Sequence, residues 1–316
     1  MEYTAIKNKK VFIILLIAAA LVLMQEFDFD LLTKNKLADG QIKGISREKN
    51  NLKIIFFDVG QGDAIFIETS EEKQILIDGG DNSLILDKLT KQMKFDDRLI
   101  DVIVLTHPHA DHVTGLIEVL KRYQVGEVWL TGVIHTSSIY LEFLNLIKEK
   151  QIPTKIIFAC GKKNIKGCND IMALGTEVQF KILYPLENLS QKRLDDANNS
   201  SLVMKLNYKT DSLMLVGDAE MTDEEKMLGI FEASELKSDV LKLGHHGSAD
   251  GSSEKFLEAI QPEYGIISVG KDNPYGHPSL RIIRRLERIG AKIFRTDELG
   301  DIVFVGDNNG IKIINN

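Results

Sequence analysis

Residues 106–112 read Thr106-His107-Pro108-His109-Ala110-Asp111-His112, and this run carries the strongest functional signal in the chain. It places three imidazoles and a carboxylate within six positions, directly after the apolar, strand-like segment 101–105. Imidazole nitrogen and carboxylate oxygen together suit a borderline divalent ion such as zinc or manganese. His107 and His109 are two positions apart, so in extended backbone they point to the same side, while Asp111 and His112 follow at a turn. The run therefore predicts ligands for two neighbouring metal ions.

Three more apolar segments end in side chains that can bind a metal. They end at Asp78, at Asp218 and at the neighbouring pair His245-His246. Each aspartate alone is more typical of a turn, but together with the histidine run they place Asp or His at four strand ends. Loops along one rim of a sheet commonly carry function. The joint pattern predicts a single metal centre built from all four segments.

The order of these residues resembles the metallo-β-lactamase superfamily of dinuclear metallohydrolases. Four segments narrow the resemblance to the hydrolase domain of ComEC-type DNA-uptake proteins: Phe57-Asp58-Val59-Gly60-Gln61-Gly62-Asp63-Ala64, Asn198-Asn199-Ser200-Ser201-Leu202-Val203, His245-His246-Gly247-Ser248 and Tyr275-Gly276-His277-Pro278-Ser279. It covers roughly residues 52 to 306. ComEC-type proteins carry this domain after a many-spanning membrane channel, which the printed residues do not include. The resemblance thus implies an αββα sandwich with hydrolase chemistry, and a transport role does not follow from it.

The resemblance implies two divalent ions, Zn²⁺ or Mn²⁺, and seven candidate ligands: His107, His109, Asp111, His112, Asp218, His245 and His246. The first two histidines would bind one ion, Asp111 and His112 the other, and Asp218 would lie between the ions. The last position of the second site falls to His245 or His246, which the sequence does not separate. Asp78 would stand behind the histidines and fix one ring tautomer as a hydrogen-bond acceptor.

The first metal site departs from many superfamily members, which carry a third imidazole there. This chain reads Asn198-Asn199-Ser200-Ser201 in that region and has no histidine between His135 and His245. ComEC-type proteins share the substitution. The amide oxygen of Asn199, the candidate at this position, is a harder and weaker donor than imidazole. The first site is therefore expected to bind less tightly and to tolerate manganese better.

Two ions a few ångströms apart suit phosphodiester hydrolysis, and equally the attack on amides or esters known from other superfamily branches. We expect Asp111 to orient the attacking water. His277 either donates to a leaving or phosphate oxygen or is an ordinary loop histidine. Ser248 and Ser279 are candidates for binding phosphate through hydroxyl and backbone N–H groups.

Composition limits the function. The net charge of −7 and the pI near 5.6 argue against a protein that coats nucleic acid through bulk electrostatics. One local basic strip is either a nucleic-acid contact or the solvated face of an amphipathic helix: Arg281, Arg284, Arg285 and Arg288. The leading hypothesis is an extracytoplasmic phosphodiesterase, most simply a DNA nuclease. The alternatives are a phosphodiesterase of cell-envelope esters such as teichoic-acid phosphocholine, and a non-catalytic binding module on the same fold.

Residues 1–27 differ from the rest of the chain. Lys7, Lys9 and Lys10 precede an unbroken apolar run of fourteen residues, 11–24. At 1.5 Å per residue a helix of this length spans about 21 Å, short of a ~30 Å hydrocarbon core. This predicts one hydrophobic helix that serves as a signal anchor or a cleaved signal peptide. The catalytic part would then be held outside the membrane or secreted.

The predicted organisation is the anchor or signal at 1–27, a linker at 28–50 and one hydrolase domain at 51–316. Cys160 and Cys168 bracket a polar loop and are either bridged, as an oxidising environment would allow, or two unrelated buried thiols. The expected partners are a phosphodiester, with DNA the leading candidate, and the membrane through the N-terminal segment. No protein partner is predicted.

Hydrophobic patterning predicts strands that alternate with helices in two halves. The predicted strands are 52–58, 63–69, 74–78, 101–105, 127–130, 154–159, 177–184, 201–207, 212–217, 239–243, 264–269, 292–295, 301–305 and 311–314. Helices are predicted near 84–93, from 115 to 121, and near 138–150, 222–232, 253–260 and 279–288.

Overall fold

The computed structural model describes residues 51–161, 165–307 and 310–314. The hydrophobic N-terminal helix and the linker predicted from the sequence lie outside these residues. Within the described ranges, no helix is both long enough and apolar enough to cross a membrane.

The described residues form strands, helices and two short 3-10 turns. In chain order the strands are β1 (Leu52–Phe56), β2 (Ile65–Glu68), β3 (Gln74–Ile77), β4 (Leu99–Leu105), β5 (Gln124–Leu130), β6 (Thr154–Ile156), β7 (Ile171–Leu174), β8 (Val178–Tyr184), β9 (Val203–Tyr208), β10 (Asp211–Leu215), β11 (Val240–Lys242), β12 (Tyr264–Ile267), β13 (Lys292–Arg295), β14 (Ile302–Asp307) and β15 (Gly310–Ile313). The helices are α1 (Leu84–Gln92), α2 (Ala110–Arg122), α3 (Ser138–Glu149), α4 (Met221–Ile230), α5 (Ala233–Leu236), α6 (Glu254–Ile260), α7 (Leu280–Ile289) and α8 (Thr296–Leu299). The 3-10 turns are Ala197–Ser200 and Gly244–Gly247.

The strands form two sheets. The first has the order β15-β14-β1-β2-β3-β4-β5-β6, and the second has the order β13-β12-β11-β10-β9-β8-β7. In each sheet antiparallel neighbours give way to parallel ones, from β3 to β6 in the first and from β10 to β13 in the second. Parallel neighbours bring the carboxyl ends of several strands to one edge, where loops can share a site.

Strand β1 shows how the layers are stacked. Its alternate residues Ile54 and Phe56 enter the core between the two sheets, whereas Ile55 and Phe57 enter the core beneath helices α1 to α3. A strand covered on both faces reads as a continuous apolar run, because neither set of side chains meets water. Helices α4, α6 and α7 cover the outer face of the second sheet, so the αββα sandwich predicted from the sequence is confirmed.

Helix α2 begins earlier than predicted. The sequence analysis started it at Gly115, but the structure starts it at Ala110, with extended His109 as its N-cap. Gly115 lies inside the helix because its backbone touches the loop after β3: a Cβ added there would stand 1.9 Å from Gly79 O. The carboxylate of Asp111 falls in the first turn, where the helix dipole favours negative charge.

In the region of Cys160 the structure adds a disulfide and a strand to what was predicted from the sequence. Cys160 and Cys168 form a disulfide, which settles the choice between a bridge and two free thiols. Strand β7 was not predicted, because it is a short edge strand whose Ile171 side chain is 56% exposed and whose burial does not alternate cleanly.

Candidate metal centre

The four strand ends selected from the sequence meet in one place. Asp78 follows β3, the histidine run follows β4, Asp218 follows β10, and His246 lies in the turn Gly244–Gly247 after β11. Both sheets therefore contribute through the carboxyl ends of parallel strands. The site lies at the edge of the sandwich where the two sheets meet.

One tight cluster contains Asp111, His112, Asp218 and His246, each with one ligand atom within 4.8 Å of the others. Asp218 Oδ2 lies 3.3 Å from Nε2 of His112 and 3.3 Å from Nε2 of His246. Asp111 Oδ2 lies 3.2 Å from His246 Nε2. Two imidazoles and two carboxylates thus converge in one place.

The backbone turns the side chains of the neighbouring residues His245 and His246 in different directions. Both residues have positive φ, 47° and 53°, a strained conformation that clusters at functional sites. His246 is buried in the cluster, whereas His245 Nδ1 lies 3.6 Å from Glu220 Oε1 and the His245 side chain is partly exposed. The structure therefore brings His246 to the centre and leaves His245 beside it.

The other two histidines of the run form the neighbouring position. His107 Nε2 lies 3.0 Å from His109 Nδ1 and 3.8 Å from Asp218 Oδ2. His107 is buried, and His109 is half-buried at the wall of a cavity. The carboxylate of Asp218 consequently lies between the two sets of histidines.

The residues fit divalent cations. His112 Nε2, His246 Nε2 and Asp218 Oδ1 are buried and have no hydrogen-bond partner among the described residues. Buried polar atoms are rarely left unpaired, so this group of unpaired atoms on neighbouring side chains is suited to binding a cation. Their chemistry, imidazole nitrogen with carboxylate oxygen, is that of zinc and of other first-row divalent ions.

Asp78 stands behind the cluster, in contact with His112. Its Oδ2 lies 2.8 Å from His112 Nδ1, and both Thr106 N and Thr106 Oγ1 donate to the same carboxylate, at 2.9 and 2.7 Å. With Nδ1 engaged in this way, the Nε2 atom of His112 is directed to the cluster. Such outer contacts orient a ligand and raise its basicity.

Asp63 and Lys242 support His246 in the same way and were missed by the sequence analysis. His246 Nδ1 lies 3.0 Å from Ser268 O and 3.4 Å from Asp63 Oδ1. Lys242 is fully buried, and its Nζ lies 2.9 Å from Asp63 Oδ1. A lysine inside the apolar segment Val240–Leu243 was the available signal, since a buried charge requires a partner.

The electrostatics of the centre follow from burial and from its carboxylates. Burial lowers the pKa of His107 well below its usual value, which favours the neutral ring that binds metals. Burial acts on His112 and His246 too, but Asp218 and the neighbouring carboxylates outweigh it and hold the pKa of both rings well above the usual value. Burial would also raise the pKa of Asp111, yet the charge of His112 lowers it overall. The carboxylates of the cluster therefore favour positive charge on the neighbouring rings, and a divalent cation would supply that charge in place of the ring protons.

The two asparagines of the 3-10 turn face different ways. Asn199 Oδ1 accepts a hydrogen bond of 3.0 Å from Thr222 Oγ1, on α4, so its amide is turned to that helix. Asn198 lines the same cavity as His109, and its Oδ1 is buried without a hydrogen-bond partner among the described residues. Asn198, and not the predicted Asn199, is thus the amide that shares the cavity wall with His109.

A cavity of about 500 Å³ opens at His109. Its lining residues are His109, Ile134, His135, Thr136, Arg193, Leu194, Asp195, Asp196, Ala197 and Asn198. The ring of His135 lies 6.2 Å from that of His109, centroid to centroid. The space is large enough for a substrate group and carries charges of both signs.

The remaining candidates, His277, Ser248 and Ser279, lie around the turn that holds His245 and His246. The ring centroid of His277 is 5.8 Å from that of His245, and burial together with the charges of His245 and His246 lowers the pKa of His277. Ser279 Oγ caps α7 by accepting from Ile282 N. Ser248 Oγ lies 3.3 Å from Asp250 Oδ2. Both hydroxyls therefore already serve local hydrogen bonds.

Residues 57–271 match the family model of the metallo-beta-lactamase superfamily, and the chain belongs to that family. With its histidine and aspartate cluster, it is a metal-dependent hydrolase of this superfamily.

The chain is similar to proteins named for competence and recombination. ComE operon protein 3 of Bacillus subtilis (strain 168) is 27% identical over 271 residues, which cover 80% of this chain and 33% of the relative. Competence protein ComA of Neisseria gonorrhoeae is 28% identical, over 84% of this chain and 34% of the relative. Recombination protein 2 of Haemophilus influenzae is 27% identical, over 78% and 28%. The chain thus spans about a third of the length of these relatives.

Solved structures give more distant likenesses. The diiron beta-hydroxylase CmlA of Streptomyces venezuelae has a TM-score of 0.49 at 15% identity, over 78% of this chain and 53% of the other. Zn²⁺-bound PqqB of Methylobacterium extorquens has a TM-score of 0.48 at 11% identity, over 74% and 85%. Likeness at this level carries no information about the substrate.

Proposed function

We propose that the protein is a metal-dependent phosphodiesterase that acts on DNA outside the cytoplasm. The observation that carries the proposal is the position of Asp218, whose Oδ2 lies 3.8 Å from His107 Nε2 and 3.3 Å from His112 Nε2. One buried carboxylate between two sets of histidines supports a site for two ions. The relatives named for competence and recombination support DNA as the substrate.

A pair of divalent ions supplies Lewis-acid activation of water and neutralises charge on phosphoryl oxygens. The chain supplies orientation. Asp111 is the most accessible carboxylate of the cluster, with a side chain 27% exposed, so it can accept a hydrogen bond from the attacking water. His277 lies beyond His245 with its pKa lowered, and as a neutral ring it can donate a hydrogen bond to a phosphate oxygen.

The location outside the cytoplasm rests on two features. Lysines at the N-terminus precede the apolar run 11–24, a pattern typical of a signal anchor or signal peptide. The Cys160–Cys168 disulfide is a bond that persists in oxidising compartments. A transport function is not part of the proposal, because the chain matches only a third of its relatives.

A cell-envelope phosphodiester, such as a phosphocholine ester, is the second candidate. The cavity beside His109 is lined by Asp195 and Asp196, and two carboxylates would favour a substrate group with positive charge. The acidic net charge of −7 agrees with such a substrate.

The test is hydrolysis by the full chain, purified in detergent and loaded with manganese or zinc. Single-stranded DNA, double-stranded DNA, RNA, bis(p-nitrophenyl) phosphate and a phosphocholine ester are compared. We expect metal-dependent cleavage with a preference for DNA, and a loss of at least about 10²-fold in Asp111→Ala. The matched control is Asp87→Ala, an exposed aspartate on α1, which should keep full activity. Full activity in a folded Asp111→Ala variant contradicts the role of that residue, and inactivity on every phosphodiester contradicts the function.

A further inference from the structure

A large aromatic ring lies exposed beside the metal centre. Tyr275 is 66% exposed, and its ring is stacked on that of His277, with centroids 5.8 Å apart and an angle of 18° between the planes. The two rings therefore lie nearly parallel and offset, and most of the tyrosine ring is open to solvent. Exposed aromatic rings of this kind are characteristic of sites where a flat ligand group stacks.

A series of rings connects this tyrosine to the cluster. The centroid of His277 lies 5.8 Å from that of His245, and the centroid of His245 lies 6.2 Å from that of His246. His246 belongs to the group that converges on Asp218. Tyr275 is thus three ring contacts from the centre, so a group stacked on it and a phosphodiester at the cluster can belong to one extended substrate.

The loop that carries Tyr275 is held rigidly. The Asn273 side chain donates to Gly270 O at 2.9 Å and to His277 O at 2.8 Å, and its Oδ1 accepts from His277 N at 2.9 Å. Ser279 N donates to Gly247 O at 2.9 Å, which ties the loop to the turn that holds His245 and His246. Because the backbone on both sides of Tyr275 is tied down, little conformational entropy of the loop is lost when a ligand stacks on the ring.

The arginines that follow Tyr275 in the sequence would attract a polyanion. Arg281 and Arg284 at the start of α7 are exposed, and neither forms an ion pair or side-chain hydrogen bond among the residues that the structure describes. Arg285 instead donates to Gly251 O and Ser252 O, and Arg288 pairs with Glu254. Half of the basic strip noted in the sequence is therefore structural, and half is available to a ligand.

We propose that the Tyr275–His277 stack is a base-binding platform for single-stranded nucleic acid. A nucleobase stacks on the exposed face of Tyr275, the adjoining phosphodiester reaches the metal cluster, and Arg281 and Arg284 contact the backbone. This assignment rests on the proposed phosphodiesterase function and adds a subsite to it. A choline group is disfavoured here, because a single flat face is not an aromatic cage and the two arginines repel a quaternary ammonium.

The test separates stacking from backbone attraction. Binding is measured by fluorescence anisotropy with the full chain loaded with manganese, using two labelled oligomers of equal length. One is single-stranded DNA and the other is abasic throughout, and both carry phosphorothioate linkages to slow cleavage. The variants are Tyr275→Ala and Tyr275→Phe, with folding checked by circular dichroism.

We expect Tyr275→Ala to weaken binding of the base-containing oligomer by at least about fivefold, and Tyr275→Phe to bind like the wild type, because stacking needs only the ring. Binding of the abasic oligomer should be the same in all three proteins. Equal affinity of Tyr275→Ala and the wild type for DNA overturns the proposal. So does an equal loss of affinity for both oligomers, or a wild type that binds the two oligomers equally well.

Failure of the proposed function gives a different result. If DNA binds with the expected dependence on Tyr275 but no phosphodiester is hydrolysed with either metal, the platform stands and the catalytic function fails. If DNA is hydrolysed and Tyr275→Ala changes neither binding nor KM, the function stands and the platform is wrong.

Discussion

At the level of single residues, Asp218 lies between His107 on one side of the centre and His112 and His246 on the other. Its Oδ2 lies within 3.8 Å of His107 Nε2 and at 3.3 Å from both His112 Nε2 and His246 Nε2. Three imidazoles around one buried carboxylate are an arrangement suited to binding a cation. The adjacent residues His245 and His246 differ because only the second points its ring at this carboxylate.

The number of bound ions tests this distinction. We expect elemental analysis of the manganese- or zinc-loaded chain to give close to two ions per molecule. His246→Ala should lose about one ion, because it removes an imidazole from the four-residue cluster. His245→Ala is the matched control and should retain two, since its ring lies beside Glu220. Equal losses in the two variants would contradict the assignment, and zero ions in the wild type would exclude the metal centre.

The two asparagines allow a second test of residue position. An imidazole in place of Asn198 would face the cavity at His109, and one in place of Asn199 would face Thr222. Asn198→His should therefore raise zinc affinity at least about tenfold, and more than manganese affinity, because imidazole suits zinc better than an amide does. Asn199→His should leave both unchanged. Chelator competition measures each constant, and the reverse order of effects would restore Asn199 as the residue at the metal.

The sequence predicted those site residues that directly follow an apolar strand. Asp78, the histidine run and Asp218 each follow an apolar strand, and the structure brings all of them together. The choice within each adjacent pair, His245-His246 and Asn198-Asn199, depends on local backbone angles that the side-chain types do not encode. Asp63 and Lys242 are far apart in sequence, and only the pairing of the two sheets makes them neighbours.

Among the secondary-structure elements, helix α2 shows that its order in the chain was predictable but its first residue was not. The strand and helix order was predicted well because apolar periodicity survives where a face is buried. Gly115 was mistaken for a helix start, since glycine usually marks a boundary. In the structure it lies mid-helix because the chain at Gly79 passes too close for any side chain. The edge strand β7 escaped prediction for the opposite reason, as few of its residues are buried.

Substitutions at two helical glycines, Gly115 and Gly229, test this close approach through protein stability. A Cβ at Gly115 would stand 1.9 Å from Gly79 O, so Gly115→Ala should force the backbone apart and cost about 1–3 kcal/mol of unfolding free energy. Gly229 lies in α4 with no atom within 4 Å of its ideal Cβ. Gly229→Ala should stabilise the protein by about 0.5–1 kcal/mol through helix propensity. Urea unfolding measures both, and a neutral Gly115→Ala would mean that α2 does not pack on this loop as described.

The whole molecule is acidic, with 46 Asp and Glu against 39 Lys and Arg. Its overall field therefore does not attract a polyanion, and we expect the metal centre with the exposed Arg281 and Arg284 to supply a local attraction to DNA. Such a local attraction positions one strand without coating the surface. It agrees with an enzyme that turns a substrate over and releases it.

The placement of the molecule relative to the membrane is the last prediction. Lysines at positions 7, 9 and 10 before a fourteen-residue apolar run should keep the N-terminus inside and place the chain from about residue 30 onward outside. Protease shaving of intact cells that express a C-terminally tagged chain, followed by fractionation, measures this, with a cytoplasmic protein as the control for lysis. We expect a membrane-bound tag that protease removes. A tagged protein in the medium indicates cleavage of the segment, and a tag protected inside intact cells overturns the extracytoplasmic location and any extracellular substrate with it.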